Sequence, residues 1–315
     1  MTPPAAAAPA PAAAARRSPV LWSLQARLSP YLFVAPFVVL FLVFTLWPVA
    51  RSFILSFYES AGPREKRFIG LANYRFLFTD VQFQVAVVNT LTYTVVYLAL
   101  YLPMSLGLAL LLNSPRVRFR NALRFAFFST HLVGQVFVAV MFYLLLAPRH
   151  GLINRAIGAA LPWVGSEIYW RADPKLAMPA MVLASLWISV GYGMIYFLAA
   201  LQTVDRDLYE AAAIDGAGRW ARFAHVTLPG IRSVLVFLLL VGTIGALQLF
   251  ELPYVFFDPP SGPGMRALTV VMYLYQQGFE TGNIGYACAI GWVLALGIFL
   301  VSMAQLRISG ATRDV

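Results

Sequence analysis

Residues 205–229 read DRDLYEAAAIDGAGRWARFAHVTLP, a polar interval between apolar runs of membrane length, and the rest of the chain is arranged around it. Asp205 can cap a helix by accepting a hydrogen bond from the free N–H groups of its first turn. Leu208, Ala211 and Ala212 then share one face at i, i+3, i+4. That helix is expected to stop at Gly216, because Asp215-Gly216 is a turn signal and Gly tolerates the left-handed backbone that closes a helix. A second short amphipathic face follows at Trp220, Phe223 and Ala224, and Pro229 marks the start of the next apolar run. A helix-turn-helix with aromatic residues outside the bilayer and no core of its own is expected to dock into another protein.

Composition places the chain in a class before any motif is read. Of its 315 residues 60% are hydrophobic and 11% charged, with a mean hydropathy of +0.74, which is the signature of one integral membrane domain. The net charge of +10 does not point to nucleic acid, since the basic residues lie in short clusters between apolar runs and form no contiguous basic face. The single cysteine, Cys288, falls in an apolar run, excludes an intrachain disulfide and a multi-cysteine metal site, and reads as a small core residue.

Six runs are long enough to cross about 30 Å of hydrocarbon. They are Tyr31 to about Tyr58, then 84–112, 123–147, 177–201, 231–250 and 284–306. The predicted fold is therefore all-α, a polytopic bundle of six transmembrane helices over residues 30–306. An Ala/Pro-rich disordered tail is expected over 1–29 and a short C-terminal tail over 307–315. Arg16-Arg17 does not make a cleaved signal, because the apolar run that follows is too long and has no small-residue cleavage site. Thirteen of the 23 Lys and Arg residues fall on the side that carries both termini and residues 202–230, whereas acidic residues divide 5 to 8 the other way. By the positive-inside rule that side is cytoplasmic.

The spacing of the central stretch is specific. Glu210-Ala211-Ala212, three residues, Gly216, nine residues, then Val226, one residue and Leu228-Pro229 resembles the EAA loop of ABC importer permeases, with Val where the pattern has Ile. Asp215-Gly216-Ala217 and Phe223 resemble the carbohydrate-importing, maltose-type branch. Two further segments agree with it: Gly70-Leu71-Ala72-Asn73-Tyr74 with Asp80, Phe83 and Asn89-Thr90, and Thr269 with Tyr275, Phe279, Gly285-Tyr286 and Ala289. The turn Asp258-Pro259-Pro260-Ser261-Gly262-Pro263 departs from the family's Gly-Gly-Pro.

The resemblance implies the type I importer fold and a bacterial cytoplasmic (inner) membrane location. It also implies a second homologous permease subunit, a cytoplasmic ATPase dimer, an extracytoplasmic solute-binding protein and a sugar or polyol substrate. By the same resemblance, Glu210, Ala211, Ala212, Asp215, Gly216, Ala217, Phe223, Leu228 and Pro229 would couple the permease to its ATPase.

The residues themselves limit the chemistry. The only lysines, Lys66 and Lys175, follow Glu65 and Pro174 where a phosphate-binding loop needs Gly, so energy is expected from a partner or an ion gradient. A gradient-driven carrier or channel for a small neutral solute is the alternative. Such carriers place carboxylates or histidines within the bilayer, whereas here the third span offers only His131, read as a hydrogen-bonded structural group. No paired carboxylates, metal cluster or activated nucleophile suggests an enzyme, a cofactor or a metal. Ser185, Ser189 and Tyr192 lie at i, i+4, i+7, while Gly242, Gly245 and Gln248 recur every three residues and Asn89, Tyr93, Tyr97 and Tyr101 form a third set. Each set suits either helix packing or a solute face. The resemblance favours solute contacts on the helices flanking the EAA loop, which singles out Ser185, Ser189, Tyr192, Gly245 and Gln248. Trp163, Tyr169 and Trp170 in the second outer loop suit a membrane interface or a docking surface.

Overall fold

The computed structural model describes residues 19–60, 66–163 and 167–310. The expected tail lies outside the described residues up to position 18, and residues 19–29, which composition assigns to that tail, are helical.

The elements in order are α1 (Pro19–Phe41), α2 (Trp47–Leu55), β1 (Tyr58–Ser60), β2 (Lys66–Phe68), α3 (Ala72–Thr79), α4 (Val81–Asn113), α5 (Arg120–Ser129) and α6 (Gln135–Leu145). There follow α7 (Leu152–Ala160), α8 (Pro174–Thr203), α9 (Arg206–Ile214), α10 (Arg219–Arg222), α11 (Leu228–Gly230), α12 (Arg232–Leu247), α13 (Glu251–Phe256), α14 (Val270–Tyr275) and α15 (Ile284–Ser309). Residues 1–54 and 55–315 form two units. In the first, α1 passes into α2 through a π-turn, Leu42–Leu46, where the Trp47 N–H reaches back to the Leu42 carbonyl. Pro48 brings no N–H of its own to the ladder at this point.

Among the described residues four helical segments are long and apolar enough to span, Leu28–Leu55, Val81–Asn113, Pro174–Thr203 and Ile284–Ser309. The third and fifth expected spans are bent pairs instead. Arg120–Leu132 meets Gln135–Leu145 at 102°, and Arg219–Gly230 meets Arg232–Leu247 at 68°. At 1.5 Å per residue α6 reaches about 16 Å and cannot cross alone. Pro229 thus sits inside the short helix α11, and the turn into the fifth span comes just after it, at Ile231.

Two glycines of α8 set how closely it packs on its neighbours. α8 lies along α4 and against α5. A Cβ on Gly191 would stand 1.8 Å from the Phe127 carbonyl oxygen, and one on Gly193 would stand 2.7 Å from Ser105 Oγ and from the Tyr101 hydroxyl. Around these contacts Met194, Phe197, Leu201, Ala109 and Leu112 make one buried cluster, and Tyr93, Tyr97, Val138, Met181 and Phe256 belong to another.

The region 251–282, expected as an outer loop, is folded in, with Leu252, Phe256, Phe257, Ala267 and Leu268 buried. Side chains of α4 hold it by its backbone. Asn89 Nδ2 donates to the carbonyls of Met265 (2.7 Å) and Leu268 (3.1 Å), and Thr90 Oγ1 accepts from the Val270 N–H at 3.0 Å. Asn73 likewise donates to the carbonyls of Ser56 and Tyr58. The residues that carry the second resemblance are therefore the ones that tie loops to helices.

Asp80 does the same at the mouth of the second span. Its Oδ1 caps α4 by accepting from the Gln82 N–H at 2.9 Å, and its Oδ2 accepts from the hydroxyls of Tyr286 (2.6 Å) and Tyr273. Burial works against the carboxylate, but those hydrogen bonds outweigh it and hold its pKa below the ordinary 3.8. A depressed folded-state pKa contributes stability that is fully present above 3.8 and is lost as pH falls through the lower folded value. Asp80→Asn leaves two buried phenols short of an acceptor. It is expected to cost roughly 1–3 kcal/mol, and to flatten the acid limb of a melting-temperature profile in detergent. A wild-type profile for the variant would remove this role.

Candidate functional site

A cavity of about 270 Å³ lies where α4, α8, α12 and the break between α5 and α6 converge. Three of the five residues singled out from sequence on the flanking helices line it from α8, namely Ser185, Ser189 and Tyr192, and Gly245 lines it from α12. The two glycines of α12 differ in kind. A Cβ on Gly242 would stand 2.9 Å from Leu98 Cδ2, whereas one on Gly245 would meet nothing within 4 Å. Gly242 serves helix approach, and Gly245 keeps space open. Gln248, at the end of α12, is exposed and does not line the cavity.

The opposite wall comes from α4. Tyr93, Tyr97 and Tyr101 stack as a ladder with centroids 5.7 and 5.3 Å apart and planes within 8°. Tyr93 donates its hydroxyl to Ser185 Oγ at 2.7 Å, and Tyr97 faces Ser189 across the cavity wall. All three rings are buried, so the ladder is a rigid wall that fixes the α8 serines in place. Asn89, one turn earlier on the same face, serves the 265–268 backbone instead.

The third wall is the break itself. His131, in the turn Thr130–Leu132, and Gln135, the first residue of α6, both line the cavity. His131 lies 4.5 Å from the Tyr192 ring, which lies 4.7 Å from Tyr196. Irregular backbone at membrane depth is tolerated where it lines a cavity. Little in the chain announces this wall, since 132–147 reads as an unbroken apolar run apart from Gly134 and Gln135. Among the described residues no Lys, Arg, Asp or Glu lines the cavity, and no group of His, Cys, Asp and Glu there is arranged to hold a metal.

The second feature is the turn between α9 and α10. Asp205 caps α9, accepting from the Asp207 N–H at 3.0 Å. The helix closes with the Gly216 N–H on the Ala213 carbonyl (3.1 Å) and the Ala217 N–H on the Ala212 carbonyl (2.8 Å), with Gly216 at φ +77°. That pair of bonds is a Schellman cap, and it needs a left-handed residue at Gly216. Asp215 is the last residue before that turn. Glu210 and Ala211 stand on α9 beside Ala212. Phe223 packs edge-on against Trp220 at 6.0 Å. Leu228 and Pro229 open α11, and the Tyr209 hydroxyl and Thr227 Oγ1 lie 3.0 Å apart, bridging the two arms. Leu208, Ile214 and Trp220 are 55%, 87% and 83% exposed, an apolar surface on an otherwise polar element.

Between α6 and α8, Trp170 donates its indole N–H to buried Asn154 at 2.6 Å, so it belongs to the fold, while Trp163 is exposed.

A family model described as "Binding-protein-dependent transport system inner membrane component" matches residues 83–313. The chain is 41% identical over 283 residues to the arabinooligosaccharides transport system permease protein AraP of Bacillus subtilis (strain 168), covering 90% of this chain and 89% of that one. It is 36% identical to the lactose transport system permease protein LacF of Rhizobium radiobacter, covering 87% and 92%. Among solved structures it is similar to a bacterial ABC transporter involved in import of the acidic polysaccharide alginate. There the TM-score is 0.78 at 26% identity, over 92% of this chain and 98% of that one.

Proposed function

The chain belongs to the family of binding-protein-dependent transport system inner membrane components, and from that premise we propose that it carries a neutral sugar or polyol across the membrane through the cavity between α4, α8 and α12. Membership makes it a multi-pass membrane subunit of an ABC importer that works with a binding protein, and not an enzyme. It also disfavours an ion-gradient carrier. The observation that carries the substrate class is the cavity's lining of hydroxyl, amide, imidazole and aromatic groups without a fixed charge. A charged solute calls for a countercharge, and a polyol calls for hydrogen bonds and ring faces. The names of the relatives, arabinooligosaccharide and lactose permeases, support the same class.

The complete assembly in this reading contains a second permease subunit and two cytoplasmic ATPases. The turn at 202–230 sits in the ATPase as the coupling element, through Glu210, Ala211, Ala212, Asp215, Gly216, Ala217, Phe223, Leu228 and Pro229. Both termini and that turn face the cytoplasm, with 59–82, 148–176 and 251–282 outside. ATP-driven closure moves the coupling turn and rocks the spans around the cavity.

Ser185, Ser189, Tyr192 and Gly245 are the proposed solute-facing residues. The alternative function of Ser185 and Ser189, holding the tyrosine ladder, is separable by Tyr192, whose ring is only partly buried. Tyr192→Ala in the reconstituted importer is expected to lower sugar uptake roughly tenfold, as loss of one aromatic face would, while the complex still assembles. Unchanged uptake in alanine variants of Ser185, Ser189 and Tyr192 together would make this face packing alone.

A further inference from the structure

The hydroxyls around the cavity lie largely against one another. Tyr93 is spent on Ser185, Tyr97 neighbours Ser189, and the Tyr192 ring stands 4.7 Å from that of Tyr196. Two side chains at the break of the third span also line the cavity. His131 Nδ1 lies 3.3 Å from the Ile188 carbonyl oxygen. A carbonyl only accepts, so Nδ1 carries the proton and Nε2 presents a lone pair. Among the described residues Nε2 has no hydrogen-bond partner, nor has the Gln135 carboxamide, and both residues are exposed where they line the cavity. The His131 ring stands 6.4 Å from Phe128 and 4.5 Å from Tyr192, and with the Nδ1 contact these neighbours orient the lone pair.

We propose that His131 and Gln135 form a hydrogen-bonding jaw that selects the transported sugar by its hydroxyl pattern, His131 Nε2 accepting from one hydroxyl and the Gln135 amide serving a neighbouring one. The jaw rests on the sugar reading above and adds the residues that discriminate. An oriented acceptor and an amide with both a donor and an acceptor suit adjacent hydroxyls on one ring. A solute lacking one of them leaves a desolvated polar group unpaired, which is the strong form of discrimination in a binding site. The break in the third span is what makes the jaw possible. In a continuous helix, positions 131 and 135 lie one turn apart on the same face, whereas the 102° bend between the two segments places them on either side of a corner.

The test uses the whole importer with its ATPases and binding protein in proteoliposomes. It compares uptake of lactose and arabino-oligosaccharide with that of singly deoxygenated analogues. Because the binding protein is the same throughout, its own preference cancels when the parent-to-analogue ratio is compared between wild type and variant. His131→Phe keeps a ring against Tyr192 and removes the acceptor. It is expected to reduce the parent-to-analogue ratio about fivefold to tenfold for one analogue, with His131→Gln restoring part of it. Gln135→Leu is expected to do so for an analogue modified at an adjacent carbon, and it carries the test if His131→Phe does not assemble. Ratios equal to wild type in assembled His131→Phe or Gln135→Leu overturn the jaw and leave the sugar reading intact. Failure of the wild-type importer to take up any sugar overturns both.

Discussion

Gly191→Val is expected to leave little or no folded permease. A Cβ at that position would stand 1.8 Å from the Phe127 carbonyl oxygen, 2.4 Å from its carbonyl carbon and 3.0 Å from the Phe128 nitrogen. All three are backbone atoms of α5, so no side chain can swing aside, and α5 must retreat from α8 as a unit. Cores respond to such overpacking with costs of roughly 1–3 kcal/mol when side chains can give way and more when they cannot. The retreat also carries His131 and the start of α6 away from Tyr192. The measurement is the yield and melting temperature of monodisperse permease in detergent. Gly245→Ala is the matched control, because a Cβ there meets nothing within 4 Å, and it is expected to fold normally. A Gly191→Val protein melting with the wild type would show that α5 does not press on α8 as described.

This contrast shows which parts of the molecule were legible in the sequence. The turn at 205–229 was legible in its geometry because each feature has a local cause. An acidic cap, a run of small residues and a glycine required at φ +77° are demanded by the backbone itself, whatever surrounds it. The cavity was only half legible, since polar residues at helical spacing serve two ends that look alike from the chain. Asn89 and Tyr93 belong to one sequence face, yet Asn89 holds the backbone at 265–268 and Tyr93 walls the cavity. Thr243, with similar spacing to its neighbours, bonds back to the Leu239 carbonyl and receives the Gln305 amide.

The bends were the least legible. Only Gly134 and Gln135 interrupt the apolar run 132–147, and the corner at Leu132 to Gln135 depends on the packing of α13 against α6 and of α5 against α8, contacts between residues distant in the chain. Residues 251–282 read as a loop because they fall between the fifth and sixth apolar runs, but part of their backbone is satisfied by α4 side chains that no local pattern could link to it.

Gly216→Val is expected to produce a permease that inserts and folds but no longer transports. Space is not the constraint, since a Cβ on Gly216 meets nothing within 4 Å; the constraint is φ +77°, where a β-branched residue costs on the order of 1 kcal/mol or more. That cost falls on a cap of two hydrogen bonds, Gly216 N–H to Ala213 and Ala217 N–H to Ala212. The last turn of α9 can relieve the strain by unwinding. Unwinding changes the angle between α9 and α10, which the Tyr209 and Thr227 contact alone then has to hold. The exposed Leu208 and Ile214 of α9 then shift relative to Trp220 of α10. On the proposed coupling role the ATPase is released or hydrolyses ATP without moving the spans, and uptake falls by tenfold or more, corresponding to a loss of at least about 1.4 kcal/mol of coupling. Gly216→Asn separates backbone strain from chemistry, because Asn visits the left-handed region at low cost. It is expected to retain most uptake. Co-purification of the ATPase alongside uptake reads the result, and a Gly216→Val permease that keeps its ATPase and transports at the wild-type rate would remove the turn from the coupling path.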